Sequence, residues 1–199
     1  IVDDGSTDNT REILEHNSSI KYIYQENSGV SSARNKGVLE AKNKWISFLD
    51  SDDTWNKNKI EKHIHFHQNN KDVFASYSNE KWIRNGKTIK LKKYQQKEEP
   101  HFINSLELCK IGSSSFFAHK KIFEDNLYFD ENLHACEDYD LWLRILLKYK
   151  IHLINEEQRR LRALKMQIRG YVELANSNPG DTVKLAENYS NLVHKLGSS

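Results

Sequence analysis

The sequence predicts an α/β fold: a mostly parallel sheet flanked by helices, followed by a C-terminal helical hairpin. Three observations carry that expectation. Short apolar runs alternate with helical segments in the order strand, helix, strand, helix, strand, the order of a parallel sheet with crossover helices. The run Trp45-Ile46-Ser47-Phe48-Leu49 reads as a buried strand and ends in Asp50-Ser51-Asp52-Asp53. After Asn155 the pattern becomes purely helical.

Ile1-Val2 reads as the end of a strand, and Asp3 to Asp8 as a turn with helix-capping residues before a helix over 10–16. Residues 21–25 alternate like a strand. Ser28 to Ser32 is a loop opening a helix over 33–42. The 45–49 strand and its acidic turn precede a helix around 57–69. A strand is expected at 73–77. A hairpin follows over 80–94, with Asn85-Gly86 as its positive-φ turn. A strand over 113–117, a helical turn over 120–123, an amphipathic helix over 139–148 and a strand over 151–154 complete the first domain, residues 1–155. Residues 156–199 form the hairpin appendage: Leu161, Leu164, Ile168, Tyr171 and Ala175 recur at helical spacing before the break at Pro179-Gly180, and a second helix follows.

The chain has 199 residues, enough for one domain with a core plus an appendage. A net charge of +2 with 29% charged residues gives no global argument for nucleic-acid binding, and none is expected as a partner. Two cysteines, Cys109 and Cys136, are too few for a disulfide framework, so a reduced, cytoplasmic setting is expected. No apolar stretch approaches the ~20 residues of a membrane span.

Asp50, Asp52 and Asp53 stand just beyond a strand's carboxyl end, where open α/β sheets bind ligands. Carboxylates crowded there repel one another, and a hard divalent cation relieves the repulsion. Mg²⁺-type ions take one or two protein carboxylates plus substrate phosphates, so the cluster points to a metal-bridged diphosphate. A calcium loop would also place Asp50, Asp52, Thr54 and Glu61 at ligand positions, but Trp55 falls where its sharp turn requires glycine.

Four stretches in order resemble the inverting glycosyltransferases of the large bacterial family 2, which have the nucleotide-sugar-binding GT-A fold, a Rossmann-like architecture. They are IVDDGSTDNT (1–10), NSGVSSARNKG (27–37), WISFLDSDDTW (45–55) and CEDYDLWLRI (136–145). The resemblance implies that Asp3 and Asp4 hydrogen-bond the nucleobase and ribose, acceptor-only groups suited to an imide N–H and hydroxyls. It places Arg34 near the base and phosphates, Asp50 on the ribose, Asp52 on a Mn²⁺ or Mg²⁺ ion, and Asp53 as a further ligand or acceptor beside it. Asp138 matches the general base. Glu137, beside it, is expected to orient the loop or bond a substrate hydroxyl. Each motif also has a plain structural reading: helix caps for the acids and a surface helix position for Arg34.

The implied activity is metal-dependent transfer of a sugar from a nucleoside diphosphate, UDP by family preference, to a hydroxyl in surface-polysaccharide or glycoconjugate synthesis. The acceptor would be a glycan, a lipid-linked sugar or a polyol-phosphate chain. Contact with the inner face of a membrane and self-association through the C-terminal helices are compatible with this sequence. The rival expectation is an inactive fragment of this type that serves as an assembly module through those helices. Two departures favour the rival. Family members carry a strand and helix before the first motif, whereas this sequence opens at Ile1-Val2, so either these residues belong to a longer protein, or another segment or copy fills the gap, or donor binding is lost. After Asn155 the sequence runs into a helix where relatives often present a proline and a histidine ligand.

His63, His65 and His67 invite a metal reading, but no third ligand has clear spacing, and a solvated helix is the simpler expectation. Residues 81–97 hold seven basic residues and no acid, expected as a solvated face, with an anionic acceptor or membrane surface as the alternative. Gly112-Ser113-Ser114-Ser115 precedes a strand and is a candidate lining of the sugar pocket, with residue types too generic for assigned roles.

Overall fold

The computed structural model describes residues 1–154; the hairpin expected over 156–199 lies outside the described residues. The elements run β1 (Val2–Asp4), α1 (Thr10–Glu15), β2 (Ile23–Gln25), α2 (Val30–Glu40), β3 (Trp45–Ser47), α3 (Lys59–Asn69) and β4 (Ala75–Ser78). Then come β5 (Trp82–Arg84), β6 (Lys87–Ile89), α4 (Phe102–Ser105), β7 (Phe116–His119), α5 (Lys121–Glu124), α6 (Glu137–Lys148) and β8 (Ile151–Ile154). The strands form a parallel β1–β2 pair, a four-stranded sheet in the order β3-β7-β4-β8, and the separate β5–β6 hairpin. Within the four-stranded sheet, β7 is antiparallel to both neighbours, while β4 and β8 are parallel. Three of its four strands therefore share one direction, and β7 alone is reversed.

The α3 crossover carries the chain from β3 past one position to β4. The 37 residues between β4 and β7, including the β5–β6 arm, bring the chain back to that position running the opposite way. The buried sheet residues Ile46, Ala75, Tyr77, Phe116, Ala118, Ile151 and Leu153 join Leu141, Trp142 and Ile145 of α6 in one core. Trp142 packs on Phe116 with ring centroids 4.0 Å apart, and its indole N–H donates to the Ile111 carbonyl at 3.0 Å, so the large ring is buried with its polar atom satisfied. This packing fixes the start of α6, where Glu137 and Asp138 lie.

The histidine face of α3 differs from the solvated surface expected for it. His63 and His67 are one helical turn apart and are 0% and 4% exposed, because they face β4 and β7. His63 stacks on Phe117 and His67 lies against Trp45, at centroid distances of 4.8 and 4.2 Å. Both meet the Ser76 hydroxyl at 2.8 Å, and His67 Nδ1 lies 2.9 Å from the Val73 carbonyl. The carbonyl accepts only, so His67 Nδ1 carries the proton and its Nε2 accepts from Ser76. Ser76 Oγ then accepts from His63 Nδ1–H. One lone pair, on His63 Nε2, is left buried without a partner. Burial pushes the two imidazoles down to about 3 and about 4, so both are neutral at pH 7. His65, by contrast, sits on the exposed face beside Asn69.

Candidate active site

The turn after β1 is shaped by the two aspartates that precede it. Asp3 is buried. Its Oδ1 accepts from the Ser6 N–H at 2.8 Å and its Oδ2 from the Tyr22 hydroxyl at 2.6 Å. Ser6 first and Tyr22 second hold its carboxyl below the usual range. Asp4 reaches the next motif: Oδ1 accepts from Gln25 Nε2 (2.7 Å) and Ser28 N (2.9 Å), Oδ2 from Gly29 N (2.9 Å). The first and second motifs are thus tied through one carboxylate at the N-terminus of α2. Two glycines make this possible. Gly5 has φ 82, and a Cβ there would lie 2.9 Å from the Asn27 nitrogen. Gly29 has φ 90 and ψ 160, a region only glycine occupies without strain. Because Asp4 engages this turn, α2 begins at Val30 and not at the expected 33.

Along α2, five residues and about 7.5 Å beyond Gly29, Arg34 joins the third and fourth motifs. Its guanidinium donates to Asp50 Oδ1 at 2.9 Å and to Glu137 Oε1 at 2.7 Å, and it lies over the Phe129 ring at 5.3 Å. Arg34 and Glu137 side chains are only 12% and 13% exposed, whereas Asp50 is 38% exposed and opens to solvent. Burial opposes the charge, but hydrogen bonds from Arg34 to Asp50 and Glu137 outweigh it and raise the guanidinium's pKa. Arg34 is therefore a fixed cation between two loops. Its neighbour Asn35 pins a third: Nδ2 donates to the Phe129 carbonyl (2.9 Å) and Glu131 Oε1 (2.8 Å), and Oδ1 accepts from Phe129 N (3.0 Å).

The serines with no assigned role prove to connect the acidic stretches. Ser113–Ser115 form a 3-10 turn, and the expected strand starts only at Phe116. Ser114 Oγ accepts from the Asp50 N–H at 3.0 Å, while its carbonyl accepts from Trp55 Nε1 at 2.8 Å. Ser113 Oγ stands 3.4 Å from Asp138 Oδ2, a long contact. Asp138 is half-buried, and burial raises its pKa, opposed in part by the Tyr139 N–H. A raised pKa makes it the stronger proton acceptor. The αL residue Cys136, φ 60, turns the chain into α6 directly before these acids.

Asp50, Arg34, Glu137 and Asp138 are thus brought to one rim. Asp52 and Asp53 extend it, exposed, in the turn closed by the 3.0 Å bond from Asp53 N to the Asp50 carbonyl. No cluster of three metal-ligating side chains exists among the described residues. Exposed carboxylates without a preformed cage fit an ion shared with substrate phosphates and do not fit a protein-only site. The sequence assigned no role to Asn35, Trp55, Ser113 or Ser114. Asn35 and Trp55 had a usable signal, their places in the second and third motifs.

A sequence model described as glycosyl transferase family 2 matches residues 1–126. The chain belongs to glycosyl transferase family 2. An uncharacterized family relative, a glycosyltransferase of Rickettsia conorii, is 35% identical over 165 residues, 81% of this chain and 27% of that protein. The Escherichia coli UDP-Glc:alpha-D-GlcNAc-diphosphoundecaprenol beta-1,3-glucosyltransferase WfaP is 35% identical over 153 residues, 74% of this chain and 58% of WfaP. A crystal structure of S. aureus TarS superposes with a TM-score of 0.65 at 25% identity, over 78% of this chain and 48% of that one. The fold is the GT-A type of TarS, and the family 2 chain described here spans only part of the length of the relatives it matches.

Proposed function

We propose that the chain carries the donor-binding and catalytic part of an inverting glycosyltransferase, moving a sugar from a UDP-sugar to a hydroxyl of a glycan, lipid-linked or polyol-phosphate acceptor. The observation that carries this reading is Arg34, which holds Asp50 and Glu137 so that two acidic motifs 87 residues apart face one rim. WfaP, named for a UDP-glucose donor and a diphosphoundecaprenol-linked acceptor, supports the choice of substrates.

In this reading the nucleoside lies along the β1–α2 edge. Asp4 and Asp50 retain acceptor capacity for ribose and base, while the buried Asp3 holds the turn that presents Asp4. Arg34 sets the Asp50 carboxylate in place. A Mn²⁺ or Mg²⁺ ion held by Asp52, with Asp53 nearby, would neutralise charge on the departing diphosphate. Asp138 takes the proton from the acceptor hydroxyl as its oxygen bonds to the anomeric carbon. The bond from that carbon to the diphosphate oxygen breaks, and the electron pair leaves with the nucleoside diphosphate, inverting the centre. The Tyr139 N–H, at 2.7 Å from Oδ1, is the closer restraint on the Asp138 carboxylate, with Ser113 Oγ 3.4 Å from Oδ2.

Asp138→Asn tests the base. Transfer should be lost with donor binding intact, and near-normal turnover would remove Asp138 from the mechanism. The rival role, an inactive assembly module acting through 156–199, rests on residues outside those described. A folded chain that binds no nucleotide would favour it.

A further inference from the structure

The β5–β6 arm buries none of its strand residues: all six are exposed, and the two strands pair only with each other. Such a hairpin contributes nothing to the core and is marginally stable by itself. Its register makes the composition informative. Trp82 stands opposite Ile89, and Arg84 opposite Lys87, on one face. Continuing the register places Lys81 opposite Lys90 on the other face, alongside Ile83, which is 67% exposed. Like charges directly across a ladder destabilise it, and this arm has them at both ends. Residues 81–97 include no acid to relieve them. An apolar pair bordered by cross-strand cations suits an anionic surface with an apolar layer beneath: Arg84 and Lys87 meet headgroups, and Trp82 and Ile89, on the same face, enter the interface.

The arm is also placed to matter. Glu80 at its root accepts from the Trp82 indole (3.0 Å) and pairs with Lys97 (2.9 Å). A Cβ on Gly112 would lie 2.9 Å from Glu80 Oε2, and Gly112 precedes Ser113, which meets Asp138. The root of the arm therefore abuts the seryl turn of the rim.

We propose that the β5–β6 arm docks on an anionic lipid bilayer, holding the rim against a membrane from which a lipid-linked acceptor is presented; the presentation, though not the docking, rests on the transferase reading.

The full chain is floated with phosphatidylglycerol–phosphatidylcholine vesicles and with phosphatidylcholine vesicles alone. Binding is expected to the anionic vesicles only and to weaken with salt. Arg84→Gln/Lys87→Gln should weaken it roughly 25-fold, about fivefold for each cation, and Trp82→Ala should weaken it further. All three residues are exposed, so UDP binding by calorimetry should be unchanged in these variants. Failure to bind anionic vesicles, or equal binding by the double variant, overturns the docking. So does binding to soluble polyphosphate without binding to vesicles, which would mark a polyanionic acceptor instead. Vesicle binding without UDP binding would leave the docking standing and remove the transferase reading.

Discussion

At the rim, Arg34 keeps its charge by lying 2.9 Å from Asp50 and 2.7 Å from Glu137; beneath α3, His63 and His67 give up theirs to meet Ser76 at 2.8 Å. Both regions put titratable side chains out of water. The rim balances opposite charges and leaves Asp50, Asp52 and Asp53 open. The histidine seam has no counter-charge, so neutral tautomers close it into a chain of hydrogen bonds. Histidines spaced like metal ligands are the inert pair, while acids spaced like helix caps are the assembled one. Side-chain spacing alone does not separate a site from a seam; the presence of a paired charge facing solvent does.

The largest expected effect lies at the rim. Asp138→Asn should lower transfer by roughly 10²–10⁴-fold in a kinetic assay with a UDP-sugar, without weakening UDP binding. Next, Arg34→Met should leave Asp50 and Glu137 facing each other with no cation. Urea unfolding should show a loss on the order of 3 kcal/mol, at the low end for a broken buried pair because Asp50 keeps solvent contact. A loss no larger than that of an exposed ion pair, under about 1 kcal/mol, would reduce Arg34 to a surface residue.

The seam should respond to pH in the opposite sense from a salt bridge of a protonated histidine. Folded His63 and His67 titrate at about 3 and about 4, below the ordinary value of 6.5, so between those limits the unfolded chain binds more protons. Their contribution is complete above pH 6.5 and is lost as pH falls toward 3, with a slope of at most about 1.4 kcal/mol per pH unit for each histidine. His63→Leu/His67→Leu should flatten that limb of a urea-unfolding series. An unchanged acid limb in the variant would place the proton uptake elsewhere. The smallest effect concerns Lys59, buried with its ammonium on Ser47 Oγ at 3.0 Å and over the Trp55 ring, and pushed down to about 8 by burial. Its charge holds His63 down, so Lys59→Met should raise the His63 titration midpoint by NMR by less than about one unit; no change would separate the two groups.

Local pattern made much of this legible. The run ending at Leu49, the Asn85-Gly86 turn and the 3.6-residue period of 139–148 placed elements within a few residues of where they lie. The β3-β7-β4 order was not legible, because a crossover helix does not reveal whether it skips a position. The four-residue helix α4 carries too few residues for a period to show. The burial of His63 and His67 depended on Ser76 arriving from β4, a partner nine or more residues away with no local signal. Ser113 and Ser114 were opaque for the same reason: their importance comes from whom they meet, Asp138 and Asp50, and serine's chemistry is too general to announce it. Arg34, Asp50 and Glu137 were each visible as motif residues, but their pairing was not.

Titration calorimetry of the full chain with UDP, with and without Mn²⁺, bears most directly on the claim that these acids form one donor site. Binding should require the ion in the wild-type chain, be lost in Asp52→Asn even with Mn²⁺ present, and persist unchanged in Asp138→Asn. Binding indifferent to Mn²⁺ and to Asp52, or absent from a folded sample, would contradict it.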